Sequence, residues 1–179
     1  MHPVRALLLR ASTDPFLAKR LPRMGFVRRA ARRFMPGEEP VDALREAERL
    51  GRDGAGSILT LLGENVDDRA RAREVVEHYL GVLEDVRERD LDTELSVKPT
   101  QLGLDVGTDV AADGLRELVR ASAADGRIVW IDMESSPYVD ATLELFRDAR
   151  ERHRNVGVCL QAYLRRTPAD LEALLPLRP

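Results

Sequence analysis

Leu95-Ser-Val-Lys98-Pro-Thr-Gln-Leu-Gly-Leu-Asp105 opens as a short apolar strand and ends that strand on a lysine. Proline stops it, having no N–H to give to a sheet ladder, and a glycine-containing turn follows. A charge at the end of a buried strand is unfavourable unless something needs it there. The same design recurs in Gly56-Ser-Ile-Leu-Thr-Leu-Leu-Gly-Glu64, in Arg127-Ile-Val-Trp-Ile-Asp132-Met-Glu134 and in Val156-Gly-Val-Cys-Leu-Gln161-Ala-Tyr163. From Glu64 to Lys98 is 34 positions, from Lys98 to Asp132 another 34, and from Asp132 to Gln161 29. Each interval holds one strand and one helix.

The helices show in the spacing of apolar residues. A helix over 67–89 places Val75, Val76, Tyr79, Leu80, Leu83 and Val86 on a buried stripe. Helices over 109–124 and 139–152 present Leu115, Leu118 and Val119, and then Leu143, Phe146 and Ala149. One over 41–52 precedes the first strand with Val41, Leu44, Ala47 and Leu50 at three-residue steps, and a last helix starts at 168. Strands are expected within 56–64 and over 94–98, 127–132 and 156–161.

Short apolar strands alternating with longer amphipathic helices mean a parallel sheet covered by helices. Two α/β architectures fit, an open doubly wound sheet and a (β/α)8 barrel. The glycines between Gly51 and Gly56 precede their strand and lack dinucleotide-binding spacing, and no phosphate-loop motif is present. Polar residues at the C-terminal ends of all four strands favour the TIM-type barrel, whose active sites are assembled there. The expectation is an incomplete (β/α)8 barrel over residues 40–179, truncated after its fourth unit, behind an N-terminal helical arm over 1–39. Ile58, Leu95, Val97 and Val129 are expected on its inner face.

Composition narrows the class. Hydrophobic residues are 44% and charged residues 33%, as in ordinary globular chains. The single cysteine, Cys159, reads as a small core residue and suits the cytoplasm. No apolar run approaches the ~20 residues of a membrane span. Residues 1–39 hold nine Arg/Lys against three Asp/Glu, so the remainder carries −9 of a net charge of −3. The arm reads as helices over 14–20 and 25–35, the second with Phe26, Val27, Ala30, Ala31 and Phe34 opposite four arginines. It either packs on a larger body or touches anionic lipid, which puts the chain in the cytoplasm or peripherally on the inner face of the cell membrane. Aromatic residues are only 4% and form no stacking platform, so nucleic acid is not an expected partner.

Lys98 can be a Schiff-base amine, an anion clamp or the structural partner of a carboxylate. Asp132 and Glu134 suit a hard cation, but no third acid or histidine has ligand spacing, so no metal is expected. Glu64 can cap the next helix or meet a cation across the barrel mouth. Gln161 can hydrogen-bond a flat heterocycle or fill a polar rim. His2, His78 and His153 read as surface residues, and no nucleophile-elbow sequence supports a Ser-His-Asp triad.

Taken in order, Arg33-Phe-Met-Pro-Gly37, Leu61-Leu-Gly-Glu64, Ser96-Val-Lys-Pro-Thr-Gln-Leu-Gly-Leu-Asp105, Ile131-Asp-Met-Glu134 and Asn155-Val-Gly-Val-Cys-Leu-Gln-Ala-Tyr-Leu164 resemble the monofunctional bacterial proline dehydrogenases. The likeness runs from about Arg32 onward, and the Lys98 and Gln161 segments are its most specific parts. The resemblance implies a (β/α)8 flavoenzyme that oxidises L-proline to 1-pyrroline-5-carboxylate, with hydride passing to FAD and electrons to a membrane quinone. It implies that Lys98 helps hold the proline carboxylate, that Asp132 is the acidic active-site residue, and that Met133 and Gln161 contact FAD. Glu64 would close an ion-pair gate with a distant arginine. The family's fifth strand, with its catalytic arginine and Lys-Gly-Ala-Tyr, is absent, as is the C-terminal helix with a tyrosine and two arginines. Pro99 stands where an aliphatic residue is usual. The truncated chain is therefore expected to be inactive alone, and a homodimer could pair two half-barrels edge to edge. The competing readings are an aldolase-like Schiff-base barrel using Lys98 and a non-catalytic half-barrel.

Overall fold

A computed structural model of the chain describes residues 39–178 together with Arg20, Gly25 and Gly37. The two helices expected over 14–35, and most of the 1–39 arm, lie outside the described residues. Contacts divide the chain into two compact units, 1–46 and 47–179. Helix α1, Pro40–Arg52, runs across that division.

The second unit alternates as its spacing requires: β1 Ser57–Thr60, α2 Arg69–Glu88, β2 Thr93–Val97, α3 Thr108–Ala123, β3 Val129–Asp132, α4 Val139–Arg152, β4 Val156–Cys159 and α5 Thr167–Leu174. Single 3-10 turns, Ser136–Tyr138 and Leu175–Leu177, precede α4 and follow α5. Asp68 starts α2 by accepting from Ala70 N–H at 2.9 Å, satisfying one of the helix's free donors. All strands are parallel and lie in the order β1-β2-β3-β4. Parallel crossovers are right-handed, so a sheet that always advances in one direction puts every helix on the same face. A doubly wound sheet must reverse direction. This one does not, and its topology is that of a (β/α) barrel not closed by the described strands.

The register shows which side chains meet the helices. Leu59, Leu95 and Val129 lie in one row, and Val97, Ile131 and Val158 in the next. Leu95, Val97, Val129 and Ile131 are at most 1% exposed, with Tyr79, Val86, Leu115, Leu118 and Phe146 of the helices similarly buried. Side chains alternate across a strand, so Ile58, Glu94, Ser96, Trp130, Asp132 and Cys159 share the opposite, helix-free face. This corrects the expected inner face: of its four residues only Ile58, 54% exposed, lies there. Cys159 is likewise exposed rather than a core residue, because its register with Asp132 turns it to the helix-free side.

The helical stripes narrow in the same way. On α2, Val76, Tyr79, Leu83 and Val86 are buried with Ala72, while Val75 and Leu80 fall on its flanks. On α1, Leu44 and Ala47 are buried but Val41 is exposed and Leu50 half-buried. Steps of three residues fall about 60° short of a full turn, so such a series fans off one face. β3 ends at Asp132 as expected, while β1, β2 and β4 end earlier. Lys98 lies one position past β2, Gln161 two past β4 and Glu64 four past β1.

Two glycines are dictated by close approach. A Cβ on Gly157 would lie 2.4 Å from the Trp130 ring, which crosses β4 on the helix-free face while its Nε1 donates to Glu94 at 2.6 Å. Gly103 has φ +90°, and a Cβ there would lie 2.9 Å from Ala72 Cβ and 3.0 Å from Val110 Cγ1. Both strain and overpacking oppose a side chain at this turn. Gly103→Ala is expected to lose roughly 2 kcal/mol of stability, read as a lowered urea midpoint. An unchanged midpoint would show that neither contact matters.

Candidate active site

The C-terminal ends of β2, β3 and β4 place Lys98, Asp132 and Cys159 side by side. Val97 pairs with Ile131, and Asp132 with Cys159. One further step carries Lys98 level with Asp132. Lys98 Nζ lies 3.7 Å from Asp132 Oδ2, an ion pair rather than a hydrogen bond. Asp132 Oδ1 accepts from Ser96 Oγ at 2.8 Å. Partial burial first, and the neighbouring Asp132 carboxylate second, push the Cys159 thiol up. The thiol therefore stays protonated at neutral pH. Asp132 is thus met by an ammonium and a hydroxyl on the helix-free face, with Cys159 as its neighbour on β4.

Gln161 and Met133 are brought together at the neighbouring strand ends. Gln161 Nε2 donates to Met133 O at 3.0 Å, and Gln161 O accepts from Thr167 Oγ1 at 2.6 Å, tying the loop to the start of α5. Among the described residues no donor reaches Gln161 Oε1, which keeps an acceptor free on a half-buried side chain. Met133 is 8% exposed. Glu64 is exposed in the β1–α2 loop, joined to none of these side chains.

Glu134 takes a different place from Asp132. It is 7% exposed, accepting from Thr100 N–H at 2.9 Å and from Thr100 Oγ1 at 2.6 Å. Both carboxylate oxygens are thereby engaged, and no group of three His, Cys, Asp or Glu able to hold a metal occurs among the described residues.

Sequence reasoning missed the polar residues behind Lys98. Thr100 is fully buried and Gln101 2% exposed. Gln101 Nε2 donates to Leu61 O at 2.6 Å and Gly63 O at 2.8 Å, while its Oε1 faces Lys98 N–H at 3.3 Å and the Tyr79 hydroxyl at 3.2 Å. Tyr79 OH accepts from Leu61 N–H at 2.9 Å and lies 3.0 Å from Ser96 O, to which it also donates. Burial is the main reason its phenol is pushed up, so it remains a neutral donor. Apart from the local Lys98 N–H bond, these bonds span 17 to 40 positions of sequence, and no local periodicity signals them.

A one-directional parallel sheet, with helices on one face and polar side chains at the C-terminal strand ends, defines a segment of a (β/α)-barrel protein. The model of the family "Proline dehydrogenase" matches residues 43–177. The chain belongs to the proline dehydrogenase family. It is 32% identical over 152 residues to "Proline dehydrogenase 1" of Bacillus subtilis subsp. natto, covering 85% of this chain and 50% of that one. It is 30% identical over 175 residues to "Proline dehydrogenase 2" of Bacillus subtilis strain 168, covering 98% of this chain and 57% of the relative. "Proline dehydrogenase" of Deinococcus radiodurans is 31% identical over 154 residues, 83% of this chain and 50% of the relative. The chain thus spans about half the length of the curated relatives it matches. Its fold also matches a crystal structure of proline utilization A from Bdellovibrio bacteriovorus inactivated by N-propargylglycine. That match has a TM-score of 0.70 and 22% identity, and covers 84% of this chain and 19% of that one.

Proposed function

We propose that this chain supplies the lysine-bearing half of an FAD-dependent proline dehydrogenase that converts L-proline to 1-pyrroline-5-carboxylate. The observation that carries the proposal is the Lys98 ammonium at the end of β2, paired with Asp132 on the helix-free face, within the residues that match the family. A fixed ammonium suits a substrate carboxylate, and Asp132 and Ser96 limit where that ammonium can go. Gln161 and Met133 would hold FAD: the free amide acceptor of Gln161 fits an N–H on the edge of a flat ring. FAD, when bound, accepts the hydride removed from proline. A membrane quinone would take the electrons onward, and the arginine-rich segment 28–33 suits peripheral contact with anionic lipid.

No helix packs on the inner face of the four strands among the described residues, and Ile58 and Cys159 there are exposed. Hydride transfer needs water excluded, so the chain by itself is expected to show neither flavin absorbance nor proline-dependent dye reduction. Co-expression with the part of Bacillus subtilis proline dehydrogenase 1 that this chain does not cover is expected to restore both. A borohydride-trapped carbonyl adduct at Lys98 in a colourless preparation would overturn the flavin reading in favour of Schiff-base chemistry. A yellow, monomeric, proline-oxidising preparation of residues 1–179 would show that the open face needs no cover.

A further inference from the structure

Residues 61–66, which carry Glu64, leave the sheet after Thr60 and run as an exposed loop. An exposed loop ordinarily finds its hydrogen bonds in water or within itself. This one is tied at four backbone positions to three buried side chains and one buried carbonyl, with Leu61 N–H donating to Tyr79 OH. Leu61 O and Gly63 O accept from the two hydrogens of Gln101 Nε2. Asn65 N–H donates to Thr100 Oγ1 at 3.1 Å, and Val66 N–H to Thr100 O at 3.0 Å. Glu64 sits between these ties.

The Gln101 amide is also fully matched. Its two donors meet two carbonyls and its oxygen meets the Lys98 N–H, so a rotated amide would set its oxygen against those carbonyls and its hydrogens against that N–H. Asn65 adopts φ +59°, which places the chain in a left-handed turn right after Glu64. The loop therefore has one arrangement in which every tie is made. The same amide holds the backbone of Lys98, so the turn behind the lysine and the loop bearing the glutamate share one anchor.

We propose that Gln101 is a positioning residue that holds Glu64 at the mouth of the site by clamping the 61–66 loop to the turn after Lys98. What Glu64 and Lys98 do for catalysis rests on the proposed function above; the clamp itself does not. Gln101→Met keeps the side-chain volume and removes every hydrogen bond of the amide.

The first measurement is amide hydrogen exchange of residues 1–179. Gln101→Met is expected to speed exchange at Leu61, Asn65 and Val66 at least tenfold while the buried amides of α3 and β3 stay within twofold of the parent. Unchanged loop amides, or a uniform increase across the chain, would overturn the clamp. The second measurement is steady-state kinetics of the co-expressed preparation. Gln101→Met is expected to lower kcat at least threefold at unchanged flavin content, the same loss being expected of Glu64→Gln, with the double variant no slower than the worse single one. Additive losses, or a rise in KM for proline at unchanged kcat, would show that Gln101 acts through Lys98 instead. Absence of proline oxidation in the unsubstituted preparation would strike the proposed function alone, since exchange still decides the clamp.

Discussion

Lys98→Ala is expected to raise the KM for proline more than tenfold in the co-expressed preparation, at unchanged flavin content. The ammonium lies on the helix-free face with its side chain 19% exposed, close enough to Asp132 to be oriented yet at 3.7 Å not locked to it. A charge-assisted bond from such a group to a carboxylate is worth about 1.5–3 kcal/mol, and each 1.4 kcal/mol is tenfold in binding. Lys98→Arg should recover only part of the loss, because a planar fork cannot occupy the place of a compact ammonium beside Ser96 and Asp132. A KM unchanged in Lys98→Ala, with normal flavin absorbance, would remove Lys98 from the substrate site and leave it as the partner of Asp132.

Glu134→Ala is expected to lower the stability of residues 1–179 by about 2–5 kcal/mol, as read from urea unfolding. The carboxylate receives both the N–H and the hydroxyl of a fully buried Thr100, and alanine strands both donors away from water. Glu134→Gln keeps one acceptor for the Thr100 N–H and should fall roughly midway. The loss extends beyond one pair, since Thr100 also receives Asn65 and Val66 of the β1–α2 loop. A change in Glu134→Ala below about 0.5 kcal/mol would show that water replaces the carboxylate and that the residue is not structural.

How much of the site was legible follows from the 34-residue spacing. In a parallel sheet with in-register neighbours, residues one βα unit apart reach the same depth. Lys98 and Asp132 were therefore bound to be neighbours once both were read as strand ends. The helix-free face is legible too, and it is the opposite of the expected inner face. Glu94, Ser96 and Lys98 share the parity that leads to the lysine, and Leu95 and Val97 the other, so the apolar pair had to face the helices. On β4 that signal fails. Gly157 and Cys159 carry no charged or strongly polar group to set them apart from Val156 and Val158, and only pairing with Asp132 turns Cys159 toward the site.

The sequence by itself determined the elements, their order, the parallel sheet and the strand ends on which the polar residues stand. Periodicity and punctuation are local, and each strand–helix unit carries its own. Tertiary structure alone decided what surrounds those residues. Glu134 turned from the expected companion of Asp132 into the anchor of Thr100. Gln101, silent in the sequence, became the joint between the Glu64 loop and the turn behind Lys98. Those choices are made by hydrogen bonds spanning 34 to 40 residues, which form only after the helices have packed and water has left the buried groups.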